Sequence, residues 1–157
     1  MTQEERFQFE VNRASAAEIA RHLRECSDSF EPPLAERVDI ADYAEKIAFK
    51  AVRFEAWDAA LGLVALIAVY DNAGFEVFVT NVSVAPSCRG SGLAKRLLQS
   101  CFDRMDVPAA RRYRLDVNAR SEAAIRLYNC MGFAPVSQAG ELISMERPAT
   151  GGTKNEH

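Results

Sequence analysis

The sequence predicts a mixed α+β fold, one sheet with helices on its faces. Three observations carry that expectation. Residues 61–70 are almost continuously apolar, as a buried strand requires. Ile40, Tyr43, Ala44, Ile47 and Ala48 recur at i, i+3, i+4, i+7 and i+8, the stripe of an amphipathic helix. Gly90 and Gly92 then divide a second strand-like run from Leu93, Ala94, Leu97, Leu98, Cys101 and Phe102, which share one side of another helix.

Taken in chain order, residues 6–11 alternate enough for a first strand. Ser15 precedes Glu18 by three, the capping-box spacing, so a helix runs from Ala16 to about Glu25. Residues 27–33 read as loop, broken by Pro32 and Pro33, and the second helix follows Asp39. From Ala51 the period shortens to that of strands, with Val52, Phe54 and Ala56 alternating before the apolar run. Asp71-Asn72-Ala73-Gly74 is turn chemistry, so residues 75–85 return as a hairpin partner until Pro86 ends them. Pro108 stops the next helix, and Tyr113, Leu115 and Val117 mark a further strand. Ser121 opens the last helix, and residues 133–136 and 142–145 form a terminal strand pair. The order is therefore β-α-α-β-β-β-α-β-α-β-β. Residues 1–147 are expected to form a single domain, and 148–157, with Pro148, Gly151 and Gly152, a disordered tail.

Composition narrows the function classes. The 157 residues are 48% hydrophobic and 26% charged, ordinary for a soluble domain. The longest apolar run is half of the roughly 20 residues that cross a bilayer, and the first residues lack a signal-peptide core. Cys26, Cys88, Cys101 and Cys130 show no Cys-x-x-Cys spacing, and His22 and His157 are the only histidines, so neither a metal site nor a disulfide frame is expected. A reducing cytoplasm follows as the expected location. A histidine-dependent hydrolase would rest on His22 alone. The net charge of −3 argues against nucleic acid and conceals a division: residues 1–88 carry 8 Lys+Arg against 15 Asp+Glu, whereas residues 89–126 carry 9 against 4. An anionic ligand on the central segment and a cationic one facing the first half would fit, as would solvated helix faces.

The glycine turn is the first motif with chemistry. Arg89-Gly90-Ser91-Gly92-Leu93-Ala94 joins a strand to a helix, where small residues let several N–H groups converge. A helix N-terminus adds unpaired donors and partial positive charge, so a diphosphate is the natural guest, with Arg89, Lys95 and Arg96 as further cations. The spacing is neither that of a Walker loop nor that of a dinucleotide fingerprint. The second motif runs Leu115-Asp116-Val117-Asn118-Ala119-Arg120-Ser121 and continues through Leu127, Tyr128, Gly132 and Phe133.

Together the two segments resemble the GNAT superfamily of acetyl-CoA-dependent N-acetyltransferases. Arg89, Gly92 and Ala94 match its phosphate-cradling pattern; Asn118, Leu127, Tyr128, Gly132 and Phe133 match its second signature. The resemblance implies a twisted, mostly antiparallel sheet of about seven strands with a splayed central pair and about four helices. It also implies an amine that attacks acetyl-CoA directly within a ternary complex.

By the same resemblance, Val82, Ser83 and Val84 should meet the pantetheine arm as an added strand would. Backbone groups of Cys88, Arg89, Gly90, Ser91, Gly92, Leu93 and Ala94 should hold the pyrophosphate. Asn118 and Ser121 should touch the pantetheine or adenosine end, with Arg120 or Arg126 at the 3′-phosphate and Tyr128 beside the thioester. Tyr128 is the expected general acid for the leaving thiolate. For the base, Asp116 stands twelve residues before Tyr128, where some protein N-terminal acetyltransferases of the family carry a strand glutamate; Glu76 and Glu55 compete. Covalent transfer through Cys88 is a lesser alternative. Trp57, Phe49 and Tyr43 either line an acceptor pocket or pack, and the acidic segment 28–42, with Glu31, Glu36 and Asp39, would suit a cationic amine. The leading expectation is a primary amine on a small molecule, such as an amino sugar or an amino acid, with a protein N-terminus or lysine, or a non-catalytic CoA sensor, as alternatives. A homodimer is a family-level expectation.

Overall fold

The side chain of Ser15 accepts from the Glu18 amide at 3.1 Å while its own amide donates to the Glu18 carboxylate at 2.9 Å, a closed capping box. It starts the first helix of a computed structural model that describes residues 6–72 and 76–149. β1 (Phe7–Val11) precedes α1 (Ala16–Cys26). After a 3₁₀ turn at Ser27–Ser29 come α2 (Leu34–Arg37) and α3 (Ile40–Lys50), the latter capped by Asp39, which accepts from the Asp42 amide. β2 (Val52–Asp58), β3 (Gly62–Asn72) and β4 (Glu76–Val84) follow. A second 3₁₀ turn, Pro86–Cys88, leads to α4 (Leu93–Met105), β5 (Arg112–Asn118), α5 (Glu122–Cys130), β6 (Ala134–Ala139) and β7 (Leu142–Arg147).

Seven strands and five helices among the described residues make the mixed α+β fold that the element order predicted. The additional helix is α2, whose single turn buries only Leu34 and is too short to show a period. β6 also runs further than expected, because its pairing with β7 continues to Ala139↔Leu142. Residues 73 and 74 of the expected hairpin turn, residue 75 of the strand expected after it, and 150–157 of the expected tail lie outside the described residues. No described helix is long and apolar enough to cross a membrane.

The strands form one sheet in the order β1-β2-β3-β4-β5-β7-β6, antiparallel except where β4 meets β5. One apolar core lies against α4 and α5 and includes Phe54, Val77, Leu97, Phe102, Tyr113 and Tyr128. A second lies against α1 and α3 and includes Ile19, Leu23, Ile47, Leu63 and Leu66. Two irregularities at the centre of the sheet matter for the site. β4 and β5 pair only from Glu76↔Arg112 to Phe78↔Arg114 and then part. The β3–β4 register jumps from Val69↔Val79 to Ala68↔Asn81, leaving Thr80 in a bulge. The extra residue changes the phase of β4. Val77 and Val79, then Val82 and Val84, pack toward the α4 core, while Ser83 turns to His22 on α1.

Candidate active site

The turn before α4 is built around two left-handed glycines, Gly90 at φ 78° and Gly92 at φ 81°. A Cβ at Gly90 would enter open space, so its backbone angle, and not crowding, calls for glycine there. The amides of Cys88 and Arg89 are spent on the Ala85 and Pro86 carbonyls, and the first helical bond runs from Arg96 to the Gly92 carbonyl. The amides from Gly90 to Lys95 have no backbone acceptor among the described residues. Of the amides expected to bind pyrophosphate, those of Gly90, Ser91, Gly92, Leu93 and Ala94 are thus available, whereas Cys88 and Arg89 are engaged. The Ser91 hydroxyl braces the turn by donating to the Cys88 carbonyl at 2.5 Å.

Beyond Phe78 no strand among the described residues pairs with the β5 side of β4, so the edge at Val82, Ser83 and Val84 is left without a partner strand there. Arg89 folds against this edge: its Nε donates to the Val84 carbonyl at 3.2 Å and its Nη2 to the Ser29 hydroxyl. Ser83 faces inward, sharing a buried chain in which His22 Nε2 lies 2.9 Å from its hydroxyl, which donates to Asn81 Oδ1 at 2.7 Å. Arg96 stacks over the Phe9 ring at 4.0 Å, toward β1.

On β5, alternation sends Tyr113, Leu115 and Val117 into the α4/α5 core and Arg112, Arg114 and Asp116 to the other face. That face gathers two of the three expected base candidates, Asp116 and Glu76. Arg114 stands between them, with Nε 3.7 Å from Glu76 and Nη1 3.5 Å from Asp116, and its guanidinium lies 4.9 Å over the Phe78 ring. Arg112 also pairs with Glu76, at 3.8 Å. Asp116 accepts a 2.7 Å hydrogen bond from Ser144 on β7. Nearby on β4, the bulged Thr80 gives its carbonyl to the Tyr43 hydroxyl at 2.7 Å.

Tyr128 packs on the opposite face, its ring 5.8 Å from that of Phe133, and burial pushes its phenol up from the ordinary value. Its hydroxyl has no hydrogen-bond partner among the described residues. Since Tyr128 and Asp116 belong to opposite faces, a ligand touching both must lie in the gap where β4 and β5 part. Asn118 turns the chain after β5, its Oδ1 accepting from the Arg120 amide at 2.8 Å. Ser121 is the N-cap of α5 without a side-chain bond, Arg126 is exposed, and Arg120 pairs with Glu31 at 3.4 Å and Glu141 at 3.9 Å.

Several expected candidates lie elsewhere. Glu55 is fully buried, receiving the amides of Arg13 and Ala14 and the Trp57 indole N–H beside Arg53, which makes it a strut between β2 and the β1–α1 connection. Trp57 is therefore core, and Phe49 is 87% exposed on α3. Of the three aromatics only Tyr43 reaches the gap. Cys88 is buried, its Sγ 3.8 Å from the Arg6 guanidinium. A concavity lined by Arg6, Gln8, Arg13, Trp57 and Asp58 sits at the β1 edge; of the expected site residues it takes in Trp57 alone, and neither Asp116, Glu76, Tyr128 nor the glycine turn borders it. Among the described residues no group of His, Cys, Asp and Glu is arranged to hold a metal ion.

The model of the acetyltransferase (GNAT) family matches residues 16–133. The chain belongs to the GNAT family. The GNAT fold recurs in solved structures of low sequence identity. The PaiA N-acetyltransferase of Thermoplasma acidophilum, in complex with coenzyme A, superimposes with a TM-score of 0.69 at 14% identity, over 90% of this chain and 99% of that one. An Escherichia coli N-acetyltransferase of a ribosomal-protein alanine gives 0.71 at 18%, over 90% and 94%. A spermidine N-acetyltransferase chimera of Vibrio cholerae SpeG and hSSAT gives 0.67 at 16%, over 91% and 96%. No curated protein matches the sequence significantly.

Within this GNAT chain, sequence reasoning missed Arg114, Ser144 and Thr80. The spacing Arg112, Arg114, Asp116 at period two was a legible signal for a polar strand face. Ser144 could emerge only from the β5–β7 register, and Thr80 only from the bulge.

Proposed function

We propose that the chain is an N-acetyltransferase moving an acetyl group from acetyl-CoA to the primary amine of a small-molecule acceptor, by direct attack in a ternary complex. The observation that supports this best is the parting of β4 from β5 just ahead of a turn whose amides, Gly90 to Lys95, are unspent. Those donors suit a diphosphate. The open edge at Val82 to Val84 suits the amide-bearing arm, provided that Arg89 releases the Val84 carbonyl. Asn118 and Ser121 then flank the arm, and Arg126, exposed on α5, suits the 3′-phosphate.

In this reading Asp116, with Ser144 bound to one oxygen, takes the proton that the acceptor ammonium must lose. The amine then forms its C–N bond to the thioester carbon as the C–S bond breaks. The thiolate receives the Tyr128 proton, the proton shed by the nitrogen as it becomes an amide restores the phenol, and Asp116 gives up the ammonium proton to solvent. Burial raises the Tyr128 pKa, so the phenol enters the step protonated, as an unshifted phenol also would at neutral pH. Glu76, paired with two arginines, is the second candidate for the base. Acetylation of a protein amine has one observation in its favour: all six residues of β6 are exposed, which leaves room for a peptide.

The test is calorimetry with coenzyme A, followed by thiol release from acetyl-CoA with a panel of small amines and peptides. Saturable binding and release that depends on a small amine are expected. Absence of coenzyme A binding overturns the assignment, tight binding with no amine-dependent release indicates a sensor, and release with peptides only indicates a protein acetyltransferase.

A further inference from the structure

The open face of β5 carries more than a base. Arg114 is the last β5 residue to pair with β4, at Phe78, so its side chain marks the point where the gap begins. The guanidinium lies over the Phe78 ring, 4.9 Å from Cζ to centroid, and the side chain is about one third exposed. Its contacts to Glu76 and Asp116, at 3.7 and 3.5 Å, are longer than the 2.7–3.2 Å typical of a well-formed N–H···O bond. Nη2 has no partner among the described residues. Each neighbouring carboxylate also has other support, Glu76 from Arg112 and Asp116 from Ser144. Arg114 can therefore turn to a third anion without stranding a buried charge.

We propose that Arg114 binds a carboxylate of the acceptor, and that the acceptor is a free amino acid or a close analogue whose carboxylate lies one or two carbons from the amine. This rests on the N-acetyltransferase reading above and narrows its substrate class. The 3.5 Å between Arg114 and Asp116 is the separation that matters. A ligand with its amine at Asp116 brings a carboxylate on a neighbouring carbon to the guanidinium, whose planar fork favours bidentate pairing. A diamine would set a second cation against Arg114 instead. A peptide N-terminus has an amide where the carboxylate is required.

The experiment uses the full chain with coenzyme A or acetyl-CoA. Binding of free amino acids, of their carboxamides and of the decarboxylated amines is measured by calorimetry in the presence of coenzyme A. Transfer kinetics are measured on the same panel. Arg114→Gln and Arg114→Lys are compared after circular dichroism has established that they fold. The wild type is expected to prefer some free amino acid over its carboxamide by at least about tenfold in kcat/KM, the scale of a charge-assisted hydrogen bond. Arg114→Gln is expected to raise KM for that amino acid about tenfold with kcat little changed, leaving the carboxamide unaffected, and Arg114→Lys to recover part of the loss. Equal use of acid and carboxamide by the wild type overturns the proposal. So does an equal effect of Arg114→Gln on both, or transfer to amines when no amino acid binds. If amino acids bind through Arg114 and no acceptor is acetylated, the carboxylate site stands and the transferase reading falls.

Discussion

Ser144 Oγ donates a 2.7 Å hydrogen bond to Asp116 Oδ1, and the two residues are direct register partners across β5 and β7. The bond fixes one oxygen of the carboxylate and leaves Oδ2 as the one to meet a ligand. A carboxylate so held is a better directed base than one free to rotate.

Asp116→Asn removes proton acceptance, and kcat/KM should fall by about 10²-fold or more at neutral pH, the usual scale for a general base. Ser144→Ala keeps the carboxylate and loses its orientation, so only a several-fold fall is expected. The acid limb of the pH–rate profile should persist in Ser144→Ala and vanish in Asp116→Asn. If it persists in both, Asp116 is not the base; Glu76→Gln is then the variant to profile.

Tyr128→Phe separates catalysis from packing. The ring stays against Phe133, and the hydroxyl removed has no partner among the described residues, so the melting temperature should stay within a degree or two. Turnover should drop about 10²-fold with coenzyme A affinity unchanged. Unaltered turnover removes Tyr128 from the chemistry.

Gly92→Ala places a Cβ on a residue at φ 81°, which costs roughly 1–2 kcal/mol and distorts the first amides of α4. Weaker coenzyme A binding is expected together with a lower unfolding midpoint. Gly90→Ala carries similar strain with open space around its Cβ, so it should also weaken binding if those amides grip the diphosphate. Undiminished affinity in both variants would place the diphosphate elsewhere.

His22 supplies the pH dependence of stability. Burial, assisted by the nearby Arg21 charge, lowers its pKa from 6.5 to about 4. Between those values the unfolded chain binds the proton and the folded chain does not, so stability falls as the pH drops through that window. The integrated loss is about 3 kcal/mol. Urea denaturation of the wild type between pH 7 and 4 should show this slope, and His22→Gln should flatten it. Parallel slopes would show that other groups are responsible.

Much of this molecule was legible in its sequence, and the limits have physical causes. The Ser15–Glu18 box, the Asp39 cap and the glycine turn are local devices, and each appears where its residues stand. The mixed sheet followed from periodicity. What periodicity could not supply was the pairing between distant strands. Asp116 was legible as a candidate because of its distance from Tyr128, but its partner on β7 depends on register. Glu55 looked like any strand carboxylate, and only folding showed it sealed beneath Arg13 and Ala14. The Thr80 bulge left only a slip in phase, from Val77 and Val79 to Val82 and Val84, which does not say which residue between them is extruded.

The spent and unspent amides around Gly90 carry an evolutionary consequence. Main-chain groups can be silenced only by altering backbone shape, so most substitutions nearby leave their number and direction intact. Across the gap, Arg114, Asp116 and Ser144 work entirely through side chains, each replaceable by a single codon change. On the proposed reading, a lineage built this way can exchange one partner molecule for another while its hold on the shared donor stays constant.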